Sequence, residues 1–234
     1  MDLNNKIAIV TGASKGLGKA TSIALIQKGC KVYGLARSAN KLDQLRDELG
    51  NNFQPVVMDV SDENAIKNWI EYTFSETHRP TILINNAGMS QFDDVDKLTS
   101  EKWKAMVDVN LNSVHYMTAG IVPLMKADKD ISYIINVGSI LGKVSGSSKS
   151  GYSATKFAIQ GYTEALFKEL RGFNIKVSVL NPGSIGTNFF QSSGIEPNEK
   201  MLQPKELANI IVYLLESPDN VLIDELTVRP LRPN

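Results

Sequence analysis

The chain's 234 residues carry 25 Lys plus Arg against 25 Asp plus Glu, which excludes the net field that draws a protein to nucleic acid or an anionic membrane. That length suits one large domain able to bury roughly 70–75% of its unfolded surface. A single cysteine, Cys30, and two well-separated histidines, His78 and His115, exclude an internal disulfide framework and leave no zinc pattern, so no metal is expected. The first residues include Asp2, Asn4 and Asn5 with no apolar signal core, and the apolar run 210–215 is far too short to span a bilayer. A soluble, cytoplasmic protein is the expectation.

Apolar runs and helix-period stripes alternate along the chain. Residues 6–10 read as a first strand, 16–28 as a helix closed by Gly29, and 31–36 as a second strand. Leu42, Leu45 and Leu49 line one face of a helix that Ser38 can cap and Gly50 can end. Residues 53–58 give a third strand, and Ile66, Trp69, Ile70 and Phe74 stripe the next helix. A fourth strand covers 81–84, and a long helical stretch runs from about 101 to 125, where Pro123 predicts a kink or stop. Strands follow at 131–137, 176–180 and 221–228. Between them lie a helix from 150 to about 170 and a last helix that Pro204 can open. This alternation predicts one α/β domain over 1–234: a doubly wound, seven-stranded, mainly parallel sheet with helices on both faces.

Two residues on the 150–170 helix carry the strongest chemical signal. Tyr152 and Lys156 are four apart, so they stand on one face a turn from each other. A phenol with an ordinary pKa near ~10 is a poor acid–base catalyst at neutral pH, and an adjacent ammonium favours its ionised form. Ser139, just past the fifth strand, offers a hydroxyl to the substrate oxygen that Tyr152 would protonate. Taken alone, such a Tyr–Lys pair is more often an ordinary surface pair.

The N-terminus changes that balance. T-G-A-S-K-G-L-G over 11–18 follows the first strand directly and opens the first helix. A helix N-terminus presents unpaired N–H groups and partial positive charge, which suit a pyrophosphate. Gly12 permits a tight turn, while Gly16 and Gly18 clear space for the ligand and for helix–sheet packing. The spacing is G-x-x-x-G-x-G, and with Ser139 and the Tyr152–Lys156 pair in that order the chain resembles the short-chain dehydrogenase/reductase family, from about 6 to 228.

The resemblance implies a Rossmann fold whose Gly12, Ser14, Lys15, Gly16, Leu17 and Gly18 meet a nicotinamide dinucleotide. Asp59-Val60 resembles the pair that borders the adenine, and Asn85-Asn86-Ala87-Gly88, of which Asn86 to Gly88 bind, resembles the segment along the ribose. Pro182-Gly183, Ile185 and Thr187 resemble the stretch at the nicotinamide. Asn110 matches the family's fourth catalytic residue, which holds a water in a proton relay to the lysine. Lys156, in the same scheme, also holds the ribose. A homodimer or homotetramer is implied, and Ala154, Ala158, Gly161 and Ala165 recur at helical spacing as a candidate contact.

The second strand ends with Ala36, where NAD-binding relatives usually place an acid, and Arg37 follows it. Arg37 and Lys15 together favour the 2′-phosphate of NADP(H) over NAD(H). The expected activity is hydride transfer between that cofactor and a small carbonyl or secondary alcohol, with Tyr152 as acid/base. A 3-oxoacyl carrier-protein reductase is one possible assignment, although the Gly-Gly ending of those enzymes is missing here. Phe189, Phe190 and Ile195 in the 188–203 loop suit an apolar or mixed substrate. Two other readings share the fold: a non-catalytic nucleotide sensor, which could have lost any of Ser139, Tyr152 and Lys156, and an isomerase or dehydratase using the same base.

Overall fold

The computed structural model describes residues 1–189, 194 and 196–232. Phe190 and Ile195, expected to face the substrate, lie outside the described residues. Among the described residues seven strands pair in the order β3-β2-β1-β4-β5-β6-β7. They are β1 (Ile7–Thr11), β2 (Lys31–Ala36), β3 (Phe53–Val57), β4 (Ile82–Asn85), β5 (Ser132–Val137), β6 (Ile175–Pro182) and β7 (Glu225–Val228). Every pairing is parallel, from Ile7 opposite Lys31 to Pro182 opposite Val228. The order reverses between β1 and β4, so their C-terminal ends open a crevice at the topological switch point.

Period-two alternation assigns the central strands to two cores. Ala8, Val10, Ile82 and Ile84 pack beneath α1 (Gly16–Gln27), α2 (Ala39–Leu49) and α7 (Pro204–Leu215). Ile9 and Leu83 point the other way, onto α3 (Glu63–Thr73), α5 (Ser113–Lys126) and α6 (Ser150–Leu170). Both faces are thus sealed by apolar helix stripes, leaving the strand ends as the place for polar chemistry.

Four local expectations shift. The long helix is α4 (Ser100–Val107), a π turn (Asp108–Asn112) and α5. Pro123 lies inside α5, which continues to Lys126 because Met125 is buried and the Ala127 N–H still reaches the Pro123 carbonyl at 3.3 Å. Ser38 makes no side-chain cap on α2. Strand β7 begins at Glu225 rather than 221, because the buried Lys176 ammonium takes the Pro218 and Val221 carbonyls, each at 2.6 Å. Those oxygens serve a cation instead of a ladder.

Candidate active site

The switch-point crevice is a cleft of about 1800 Å³. Its floor at one end is the turn between β1 and α1, where Gly12, Ser14, Lys15, Gly16 and Leu17 line the wall. Gly12 has φ of 69°, a conformation that only glycine adopts freely, and a Cβ there would sit 3.0 Å from the Ala87 Cα. Gly18 does not line the cleft: a Cβ on it would lie 2.2 Å from the Gly12 carbonyl oxygen, so it serves close helix–turn packing. Thr11 locks this turn to the neighbouring strand end. Its hydroxyl accepts from the Asn86 and Ala87 amides, both at 2.9 Å, while the Asn86 side chain donates to the Thr11 carbonyl at 2.8 Å.

Arg37, Asp59 and Val60 stand at the outer end of the cleft, with Ser38 and Lys41, two polar neighbours outside the sequence motifs. Arg37 pairs with Asp59 at 3.6 Å. Burial pushes the Asp59 carboxyl up, but hydrogen bonds from Ser61 and the Arg37 guanidinium outweigh it and hold it below its ordinary value. Pro182, Gly183, Ile185 and Thr187 wall the inner end beside Ala87 and Gly88.

At that inner end β5 delivers Ser139, and the first turns of α6 deliver Tyr152 and Lys156. These three side chains are almost closed to solvent, at 5%, 3% and 4% exposure. Ser139 and Tyr152 are hydrogen-bonded through their side chains, and the Lys156 ammonium donates to the Val137 carbonyl at 2.8 Å. The rings of Phe92 and Phe189 meet Tyr152 edge-on at 5.7 and 6.3 Å. Asn110, in the π turn, stands behind this group rather than in the cleft. Its amide donates to the Met89 carbonyl at 2.9 Å and Thr155 Oγ1 at 3.1 Å, and its oxygen accepts from the Met89 amide at 2.8 Å. Both side-chain N–H groups are therefore engaged in tying the loop after β4 to α6.

A family model described as short chain dehydrogenase matches residues 6–198. The chain belongs to the short-chain dehydrogenase/reductase family. That family is one of oxidoreductases. An uncharacterised oxidoreductase of Staphylococcus saprophyticus is 31% identical over 99% of this chain and 100% of its own length. Among solved structures, the closed form of a serine dehydrogenase complexed with NADP+ superposes with a TM-score of 0.89 at 29% identity, covering 95% of this chain and 94% of that one. A 3-ketoacyl-(acyl-carrier-protein) reductase from Brucella melitensis, complexed with NADH, gives 0.90 at 27% identity, covering 98% and 99%.

In this short-chain dehydrogenase, burial reverses one electrostatic expectation. The Tyr152 phenol is pushed above its ordinary value by desolvation, with the Ser139 hydrogen bond pulling only partly the other way. Lys156 stands one helical turn away. Its Nζ lies 5.8 Å from the Tyr152 ring centroid, and desolvation depresses its own pKa from 10.5 to about 8. The protein alone thus keeps Tyr152 protonated at neutral pH, which suits a proton donor.

A stability prediction follows from Lys156. Above pH 8 the folded state gives up this proton, whereas the unfolded chain keeps it until near 10.5. The unfolded state then binds more protons, so stability rises with pH. Cys30, pushed up to about 12 by burial and by Asp2, acts in the opposite sense above its ordinary 9.0. The clean window is pH 8 to 9, where Lys156 contributes a gain of about 1 kcal/mol. Urea unfolding of wild type and Lys156→Met at both pH values reads the difference; parallel pH dependences would refute it.

Among the described residues no group of three or more His, Cys, Asp or Glu is placed to hold a metal ion. None of their helices is long and apolar enough to cross a membrane.

Proposed function

We propose that this oxidoreductase transfers hydride between NADP(H) and a carbonyl or secondary alcohol, with Tyr152 as the proton donor and acceptor. The observation that carries the reading is the meeting of Ser139, Tyr152 and Lys156 at the inner end of the cleft. The residues along that cleft fit a nicotinamide dinucleotide. The N-terminus of α1 and the glycine turn suit its pyrophosphate, and Arg37 and Lys15 suit a 2′-phosphate with no acid at Ala36 to repel it. Two of the solved relatives, the serine dehydrogenase and a metagenomic short-chain oxidoreductase, are complexed with NADP+ or NADP and a third with NADH. This chain's own Arg37 and Lys15 add to the preference for NADP(H).

Bound there, the cofactor supplies or accepts the hydride. Tyr152 gives its phenolic proton to the substrate oxygen as charge builds on it. Ser139 donates a hydrogen bond to the same oxygen, and Lys156 holds the ribose and returns a proton towards the phenol. Asn110 keeps the loop behind Met89 closed on α6. Phe189 lines the cleft and, like Phe92, packs edge-on against Tyr152, so the surroundings of the phenol are apolar, which favours an uncharged carbonyl. A 3-oxoacyl thioester is one candidate of that kind.

NADPH oxidation followed by absorbance over ketones, aldehydes and 3-oxoacyl thioesters tests the reading. NADPH binding without oxidation on any of them would favour a nucleotide sensor. Substrate conversion without net NADPH loss would favour an isomerase or dehydratase.

The implied homodimer or homotetramer has a suitable surface. Ala154, Gly161 and Ala165 are exposed on α6, no atom lies within 4 Å of a Cβ placed on Gly161, and Phe157 is exposed beside them. Assembly through this face predicts a mass above the monomer in light scattering at micromolar concentration, reduced by Ala158→Glu. A monomer mass in wild type would reject it.

A further inference from the structure

Helix α6 presents a third residue on the face that carries Tyr152 and Lys156. Gln160 follows Lys156 by four, one further turn along. It does not line the cleft. Its side chain instead forms a two-way amide pair with Asn181 of β6: Gln160 Nε2 donates to Asn181 Oδ1 at 2.7 Å, and Asn181 Nδ2 donates to Gln160 Oε1 at 3.1 Å. The same Asn181 oxygen accepts from the backbone amide of Ser139 at 3.1 Å. Asn181 is fully buried and Gln160 half-buried, so the bond to the Ser139 amide is shielded from competing water.

The loop bearing Ser139 is built onto that pair at both ends. A Cβ on Gly138 would sit 2.1 Å from Asn181 Oδ1 and 2.9 Å from Gln160 Nε2. A Cβ on Gly142 would sit 3.0 Å from Gln160 Nε2. Between the glycines, the Ser139 hydroxyl accepts from the Leu141 amide at 3.1 Å and is bonded to Tyr152. A satisfied amide pair inside a protein is commonplace. What singles out this one is where it ends, on the amide of the catalytic serine.

We propose that Gln160 is a positioning residue which, through Asn181, fixes the Ser139 backbone so that its hydroxyl is aimed at the oxygen shared with Tyr152. The proposal rests on the carbonyl-reductase reading given above. Gln160→Met keeps the length of the side chain and removes its amide. One net hydrogen bond corresponds to a change of about three- to tenfold, so kcat on an accepted ketone should fall by that factor with unchanged NADPH affinity. In a Ser139→Ala background the same replacement should cost less than about twofold, because its target is gone. Equal losses in both backgrounds would overturn the proposal.

Backbone hydrogen exchange supplies a readout independent of activity. In Gln160→Met the Ser139 amide should exchange faster while the β5 amides of Ile134 and Ile135 keep their protection. Unchanged Ser139 exchange would overturn the positioning role even in a protein active on no carbonyl, and inactivity of the wild type would overturn only the reaction reading. Where Gln160→Met does not fold, Gln160→Glu takes its place with the same readouts. It keeps the acceptor for Asn181 and loses the donor at neutral pH. Lower pH restores a donor by protonating the carboxyl, so its kcat relative to wild type should rise as pH falls, and a flat ratio would count against the role.

Discussion

Replacing Tyr152 by phenylalanine should lower carbonyl turnover about 100- to 10,000-fold, the usual worth of a positioned acid, with NADPH affinity changed little. The ring that remains keeps its edge contacts with Phe92 and Phe189, so the local packing survives. Only the phenolic hydroxyl, with its proton and its bond to Ser139, disappears. Ser139 then faces the substrate oxygen alone, and its hydroxyl is a much weaker acid. Lys156 reaches the substrate oxygen only through the phenol in this scheme, so with the hydroxyl gone its proton has no relay. Steady-state turnover together with NADPH titration separates chemistry from binding. A Tyr152→Phe enzyme that keeps most of its turnover would remove Tyr152 from the mechanism.

The parts of this site visible in the sequence are those set by short spacing. Tyr152 and Lys156 share a helix, and the glycine turn occupies the eight residues between a strand and a helix, so local geometry alone brings them into register. The strand–helix alternation likewise gave the doubly wound sheet, because both faces of each central strand are apolar. What stayed hidden depends on partners distant in the chain. The π turn at Asp108–Asn112 has no local sequence mark; it places Asn110 against Met89 and Thr155, 21 and 45 residues away. Ser38 looks like a helix cap by position, yet it lines the cleft beside Arg37. Gln160 and Asn181 are 21 apart, with no local sequence pattern that pairs them. The tyrosine's electrostatics are hidden for the same reason. Helical spacing shows that Lys156 is near, but only burial reveals that desolvation dominates both groups.

Arg37→Ala should weaken NADPH binding about ten- to a hundredfold and leave NADH nearly unchanged. The two cofactors differ only by the 2′-phosphate on the adenosine ribose. A charge-assisted hydrogen bond to such a group contributes about 1.5–3 kcal/mol, which sets the factor. The structure adds a competitor, since Arg37 is paired with Asp59 at 3.6 Å. That pair is largely open to water, with the Arg37 side chain 78% exposed. Exposed pairs of this kind are worth about 0–1 kcal/mol, too little to keep the guanidinium from a phosphate carrying nearly two charges. Asp59 is held in its ionised form, below its ordinary pKa, by Ser61 and Arg37 against the effect of burial. Its carboxylate therefore repels a neighbouring phosphate once Arg37 is gone, which pushes the loss for NADPH towards the upper end. NADH, with free ribose hydroxyls, meets an acceptor there instead. Fluorescence titration of both cofactors against wild type and variant decides the matter. Equal wild-type affinities, or equal losses for the two cofactors in Arg37→Ala, would end the assignment of the outer cleft to a 2′-phosphate.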